Sequence, residues 1–219
     1  MAIEREIIKK KHLLLCEGAD AMYFFVYMLS SPDFCEDKRI SEEIQVMNFG
    51  GIKDLSNFLH LLKLREGFLN VESILIVRDA ESNVESAIDS IKSSLKTNGY
   101  VVPKELATWC DAFPRVAFVL LPTLNKKCCS GALEDLCCSL VAEENRDNIF
   151  EDIDSFLDEM KNKQGYVYPR VFKNRLHTYL SIKDEFVSFK IGEAARSNAF
   201  DWKSNRLNDF KELLLGFFD

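Results

Sequence analysis

The stretch His12-Leu13-Leu14-Leu15-Cys16-Glu17-Gly18-Ala19-Asp20 decides the fold. An apolar run from Leu13 to Cys16 stops at Glu17-Gly18, and a long apolar stretch of helical character follows at once. The order reads as a buried strand, a tight turn and a helix. The run is continuous rather than alternating, which suits a strand covered on both faces. A carboxylate stands where the strand ends. In an open parallel α/β sheet, ligands and chemistry gather outside the carboxyl ends of the strands. Glu17 is therefore the first candidate site residue.

Outward from this strand, placed at 11–16, the chain repeats the same grammar. An aromatic-rich helix over 20–29 (Tyr23, Phe24, Phe25, Tyr27) is apolar nearly all round, so it packs on the sheet and under another element. Ser31-Pro32-Asp33 breaks it. A second strand over 44–49 alternates Gln45, Met47 and Phe49 on one face. Gly50-Gly51 turns the chain into a helix over 54–65, with Leu55, Phe58, Leu59 and Leu62 at helical spacing. A third strand, 74–77, ends at Arg78-Asp79-Ala80-Glu81, and a helix over 84–95 closes at Asn98-Gly99. A connection over 103–114 leads to a fourth strand at 116–121 and a helix at 133–141. This β-α alternation predicts α/β class: a central, mostly parallel sheet of about four strands with helices on both faces.

After residue 145 the strand signal fades. Helices are expected over 149–160, 172–182, 185–191 and 207–218. No Pro/Gly/Ser-rich linker intervenes, so residues 1–219 read as a single domain, with β-α repeats over 1–145 and a helical extension over 146–219.

Composition narrows the function classes. The 219 residues are 47% hydrophobic, enough for a sizeable core. Net charge is −7 and the sequence pI about 5.2, so there is no general basic face for gripping duplex phosphates. Lys9-Lys10-Lys11 is one local basic cluster, read as a solvated strand entry. No stretch reaches the ~18 apolar residues of a membrane span, and the charged first residues do not form a secretory signal. Seven cysteines without C-x-x-C spacing read as small buried hydrophobes in a reducing cytoplasm, so neither a disulfide nor a zinc framework is expected. P-loop and dinucleotide fingerprints and the Gly-x-Ser-x-Gly elbow are all missing.

Three places put acids after apolar runs: Glu17 after strand one, Asp79 and Glu81 after strand three, and Glu134-Asp135 after strand four. Strands ~4.8 Å apart can bring such groups within reach of one hard cation. Mg²⁺ takes oxygen ligands, commonly one or two carboxylates with waters and a substrate phosphate. Each acid also has a purely local use. An Asp at a strand end caps the next helix, and acids in a first helical turn suit the macrodipole. Lys126-Lys127, in the loop after strand four, offers a phosphate contact on the same edge.

Glu17-Gly18 after strand one and Asp79-Ala80-Glu81 after strand three resemble the TOPRIM signature, a Glu after the first strand and an Asp-x-Asp after a later one. The stretch 130–136, Ser-Gly-Ala-Leu-Glu-Asp-Leu, and Phe200-Asp201-Trp202 look closer to a small TOPRIM-like family of unknown function in prokaryotes, distantly like the OLD-type nucleases. The resemblance covers most of the chain and implies a three-layer TOPRIM-like sandwich around a divalent metal. It implies a general acid/base role for Glu17, metal-ligand roles for Asp79 and Glu81, and further site acids at Glu134 and Asp135. Glu81 departs from the signature, since it stands where the family has Asp.

Two functions follow as expectations. The first is an Mg- or Mn-dependent phosphoryl-transfer enzyme, nuclease-like, with nucleic acid as partner. The second is a catalytically idle TOPRIM-like module that binds a protein partner. A third and lesser one is a nucleotide-binding regulator using the Gly50-Gly51 turn as an anion site.

Overall fold

The computed structural model describes residues 7–141, 148–168 and 170–218. Four strands form the centre: β1 (His12–Cys16), β2 (Ile44–Asn48), β3 (Ser73–Asp79) and β4 (Arg115–Leu121). All pair in parallel, in the order β2-β1-β3-β4. Residues of β1, β3 and β4 are buried almost throughout, because helices cover both faces and leave no side for alternating polar residues. The edge strand β2 is only partly buried, with Ile44 and Met47 its buried residues.

The chain runs β1–α1 (Gly18–Ser30)–α2 (Lys38–Glu43)–β2–α3 (Leu55–Leu62)–β3–α4 (Val84–Thr97)–β4–α5 (Leu133–Ser139). The step from β1 leads outward to β2, whereas the step from β3 leads the other way to β4. Crossovers of one hand must then lie on opposite faces. The cores agree. Leu14, Cys16, Leu75, Val77 and Val119 pack with Phe24 and Phe25 of α1 and with α5. Leu13, Leu15, Ile74, Ile76 and Phe118 pack with α3 and α4. The protein is therefore α/β, with an all-parallel sheet as the middle of three layers. The point where the connections diverge lies between β1 and β3, and it opens at their carboxyl ends, the place where such sheets form a crevice.

The C-terminal helices are α6 (Ile149–Gln164), α7 (Val171–Ser181), α8 (Ile191–Arg196) and α9 (Asn208–Leu215). They share the α1-side core through Leu157, Leu176, Tyr179, Ala195 and Phe210, joined by Trp202 from the connection between α8 and α9. The boundary expected between 145 and 146 falls outside the described residues. The apolar roundness of α1 has its explanation in α8. A Cβ built on Gly192 would lie 2.6 Å from Tyr23 Cβ, so α8 crosses α1 at a contact only glycine permits. Full burial of an aromatic such as Phe24 between these layers contributes about 1.5–3 kcal/mol.

One sequence expectation needs correction. The helix expected over 185–191 is a run of turns. Phe186 N–H donates to Lys183 O and Phe189 N–H to Phe186 O, each closing a three-residue step, and α8 starts only at Ile191. The two phenylalanines sit partly buried against the core, which explains the misleading apolar spacing. The short helix α2, for which the sequence carried no expectation, lacks an apolar stripe beyond Ile40 and starts on its Asp37 cap. Between α4 and β4, Ala107 N–H donates to Phe118 O and Cys110 N–H to Val116 O, so this connection covers the otherwise bare edge of β4.

Candidate functional site

An open cleft of about 620 Å³ lies at the carboxyl ends of β1 and β3. Its walls come from the starts of α1, α3 and α5 and from the beginning of α7. Glu17, Asp79, Glu81 and Glu134 all line it, together with Lys53, Arg170 and Lys173. Four of the seven residues singled out from sequence are thus brought together.

Side-chain alternation decides how they meet. Beyond the register pair Cys16–Val77, the next residues along the two strands are Glu17 and Arg78. Both follow the α3/α4 face set by Leu15 and Ile76. Arg78 Nε stands 3.4 Å from Glu17 Oε2, with 5% and 15% of their side chains exposed. These two atoms, and Arg78 Nη1, are buried without a hydrogen-bond partner. Burial raises the Glu17 pKa most, while the Arg78 charge pulls it down.

Asp79 follows Leu75 and Val77 to the opposite face. There its Oδ1 accepts the backbone N–H of Leu133, the first residue of α5, at 3.0 Å. Asp79 thus caps a helix far ahead in the chain. Burial, then the charges of Glu17 and Glu134, push its pKa up to about 7. The Leu133 hydrogen bond opposes the shift and does not overcome it.

Glu81 and Gly131 hold α5 in that position. Each donates its N–H to the other's carbonyl at 2.8 Å, an isolated antiparallel bridge. Glu81 takes φ +52 and Gly131 φ +140 to form it. A Cβ at Gly131 would come within 2.8 Å of Asp135 Oδ2 and 3.0 Å of Pro122. Across the bridge, Glu134 is buried at the cleft wall, and Lys173 Nζ meets its Oε1 at 3.1 Å.

Asp135 is not part of this gathering. Its Oδ2 accepts the Ala132 N–H at 2.9 Å, a reach-back at the start of α5, and it lies outside the cleft lining. Lys126 and Lys127 line a different cleft, with Trp109, Asp209 and Glu212. Their loop is drawn away from the acids because Leu124 is buried and Asn125 Nδ2 donates to Asp209 Oδ2 at 2.9 Å. At the Gly50-Gly51 turn, the Gly51 N–H is already taken by Asp54 Oδ2 at 2.8 Å, and Gly50 O accepts the Gly18 N–H.

The basic side chains of the cleft escaped sequence reasoning. Arg78 carried a readable signal, being a charge inside a solid apolar strand one step before Asp79. Lys53, Arg170 and Lys173 carried none, because nothing local distinguishes them from solvated lysines and arginines.

Among the described residues, no group of three or more His, Cys, Asp or Glu stands ready-made to hold a metal ion. The donor set still suits a hard cation. Its members are all carboxylates, and Asp79 is crowded by the like charges of Glu17 and Glu134. Such a set fits a largely hydrated Mg²⁺ held by one or two carboxylates rather than an all-protein cage. All seven cysteines are free thiols, and burial raises the pKa of Cys128, Cys137 and Cys138. Among the described residues no helix is long and apolar enough to cross a membrane.

No curated protein and no solved structure matches the chain. A family model matches residues 11–219, from the lysine ahead of β1 to the last residue, and takes in every acid of the cleft. The chain belongs to that family, described as a protein of unknown function, DUF3226.

Proposed function

We propose that the chain is a divalent-metal-dependent phosphoryl-transfer protein, nuclease-like, acting on nucleic acid on a TOPRIM-like scaffold. The observation that carries this reading is Asp79. It is a half-buried carboxylate at the sheet's divergence point, pushed to a pKa of about 7 by desolvation and by neighbouring carboxylates. Crowded acids of this kind recur where a cation or a proton is handled. Asp79, with Glu81 and Glu134 beside it, would hold Mg²⁺ or Mn²⁺. Bound there, the ion supplies Lewis-acid polarisation of a phosphoryl oxygen.

The chain's own residues do the rest. Glu17, raised by burial, takes or gives a proton as general acid/base. Arg78 fixes the Glu17 carboxylate from below and limits how far its pKa climbs. Lys53 and Arg170 line the same cleft, and in this reading they would meet phosphate oxygens. The test is a cleavage assay on single- and double-stranded DNA and RNA with Mg²⁺ or Mn²⁺, run on wild type and Glu17→Gln. Metal-dependent cleavage that Glu17→Gln abolishes is expected. A wild type that neither cleaves nor binds either ion overturns the reading.

A specific observation favours a second reading, an idle module that binds a protein partner. Glu17 and Glu134 are each already matched by a cation of the chain itself, Arg78 and Lys173. A stable protein complex that forms equally well in chelator and in Mg²⁺, without turnover, would favour it. Metal-dependent turnover would remove it.

A further inference from the structure

Lys173 and Arg78 both neutralise acids of the cleft, but they are held differently. Arg78 projects from a central strand, and only 5% of its side chain is exposed. Lys173 projects from the first turn of α7 and is 43% exposed, while its partner Glu134 is 6% exposed. The acid is fixed in the wall, whereas the ammonium ends a flexible four-carbon stem. Lys173 lines the cleft with Glu17, Asp79 and Glu81, and its charge also acts on Glu17.

We propose that Lys173 is a tethered counter-ion that competes with the divalent cation for Glu134. The inference rests on the cation reading of the cleft given above. With Lys173 on Glu134, one carboxylate beside Asp79 is withdrawn from any incoming ion. When the ion binds, Lys173 swings outward to solvent, and Glu134 passes from one cation to the other. No covalent bond is made or broken; the Glu134 carboxylate would leave the ammonium and replace a water of the hydrated cation. The placement of α7 against α5 then sets the ion affinity of the whole cleft, and the helical C-terminal third acts as a regulator of the sheet-edge site.

The test is Mn²⁺ titration followed by electron paramagnetic resonance, on wild type, Lys173→Gln, Glu134→Gln and the double variant. Lys173→Gln should bind Mn²⁺ about fivefold more tightly, the size of one modest ion pair. The double variant should bind like Glu134→Gln alone, because the competition needs both partners. Equal or weaker binding by Lys173→Gln overturns the competition while leaving the cation reading standing. Failure of every protein to bind Mn²⁺ overturns both. An independent measurement uses the unaltered chain. Acylation of Lys173 by an amine reagent, read by peptide mass spectrometry, should rise on adding saturating Mg²⁺. Unchanged acylation in protein that has bound the ion overturns the proposal.

Discussion

Arg78 lies beside Glu17 across the β1–β3 ladder, with Nε 3.4 Å from Oε2, and neither atom has a hydrogen-bond partner. The pair is a buried charge contact rather than a hydrogen-bonded bridge. Two charges held this way stabilise little as a pair, yet removing one leaves the other uncompensated in a poorly solvated place. Arg78 has one further consequence for the cleft: its charge opposes the upward shift that burial imposes on the Glu17 carboxyl.

Arg78→Met should destabilise the protein by about 3 kcal/mol, the usual cost of breaking a buried pair. Arg78→Met with Glu17→Gln should recover most of that loss, since no lone charge remains. Urea unfolding of the two single variants and the double variant measures the coupling. Additive losses would show that the 3.4 Å contact carries no interaction.

Asp79 sets a pH dependence of stability. Its folded-state pKa, about 7, lies above the ordinary aspartate value of 3.8. Between those values the folded protein holds a proton that the unfolded chain has released. Its contribution is therefore fully present below the unfolded value and is lost as pH rises through about 7. Asp79→Asn keeps an oxygen for the Leu133 N–H and removes the charge. In chelator, the variant should gain stability over wild type at pH 8 and show little gain at pH 4. Thermal melts across that range check the sign, and a gain that shrinks as pH rises would contradict it.

Gly131→Ala strains φ +140 and drives a Cβ against Asp135 Oδ2 and Pro122. Strain of this kind costs about 1–3 kcal/mol. The Glu81–Gly131 bridge should loosen, so α5 moves and Glu134 leaves its place in the cleft wall. Mn²⁺ affinity should fall with stability. A stable variant with unchanged affinity would show that the bridge does not position Glu134.

Gly192→Ala probes the fold away from the cleft. The added Cβ meets Tyr23 Cβ at 2.6 Å, so α8 must withdraw from α1. A loss of about 1–3 kcal/mol is expected, as for overpacking elsewhere. Differential scanning calorimetry measures it, and Mn²⁺ affinity should stay near wild type because neither residue lines the cleft. A large loss of affinity at unchanged stability would run against this.

Much of the fold was legible in local pattern. The solid apolar runs before Glu17, Asp79 and Pro122 marked buried strands, and the alternation at 44–49 marked another, whose place at the edge only the strand pairing shows. Hydrophobic periodicity acts within a few residues, so one sequence carries it. It misled at Phe186 and Phe189, where aromatic spacing imitates a helix that is a chain of turns.

By itself the sequence determined the α/β class, the parallel sheet and the edge where Glu17, Asp79 and Glu81 would stand, because strand ends and their terminal acids are local features. Only the tertiary structure decided which charges face each other there. Asp79 turns to cap α5, 54 residues ahead, while Glu17 turns to Arg78 on the other face. Asp135 folds back on its own helix, the Lys126-Lys127 loop follows Leu124 and Asn125 toward α9, and Lys173 arrives from a helix that shows no motif. The reason is physical. A charge is neutralised by whatever the packing brings within a few ångströms, and packing is settled by the burial of apolar surface over the whole chain, not by the residues next to the charge.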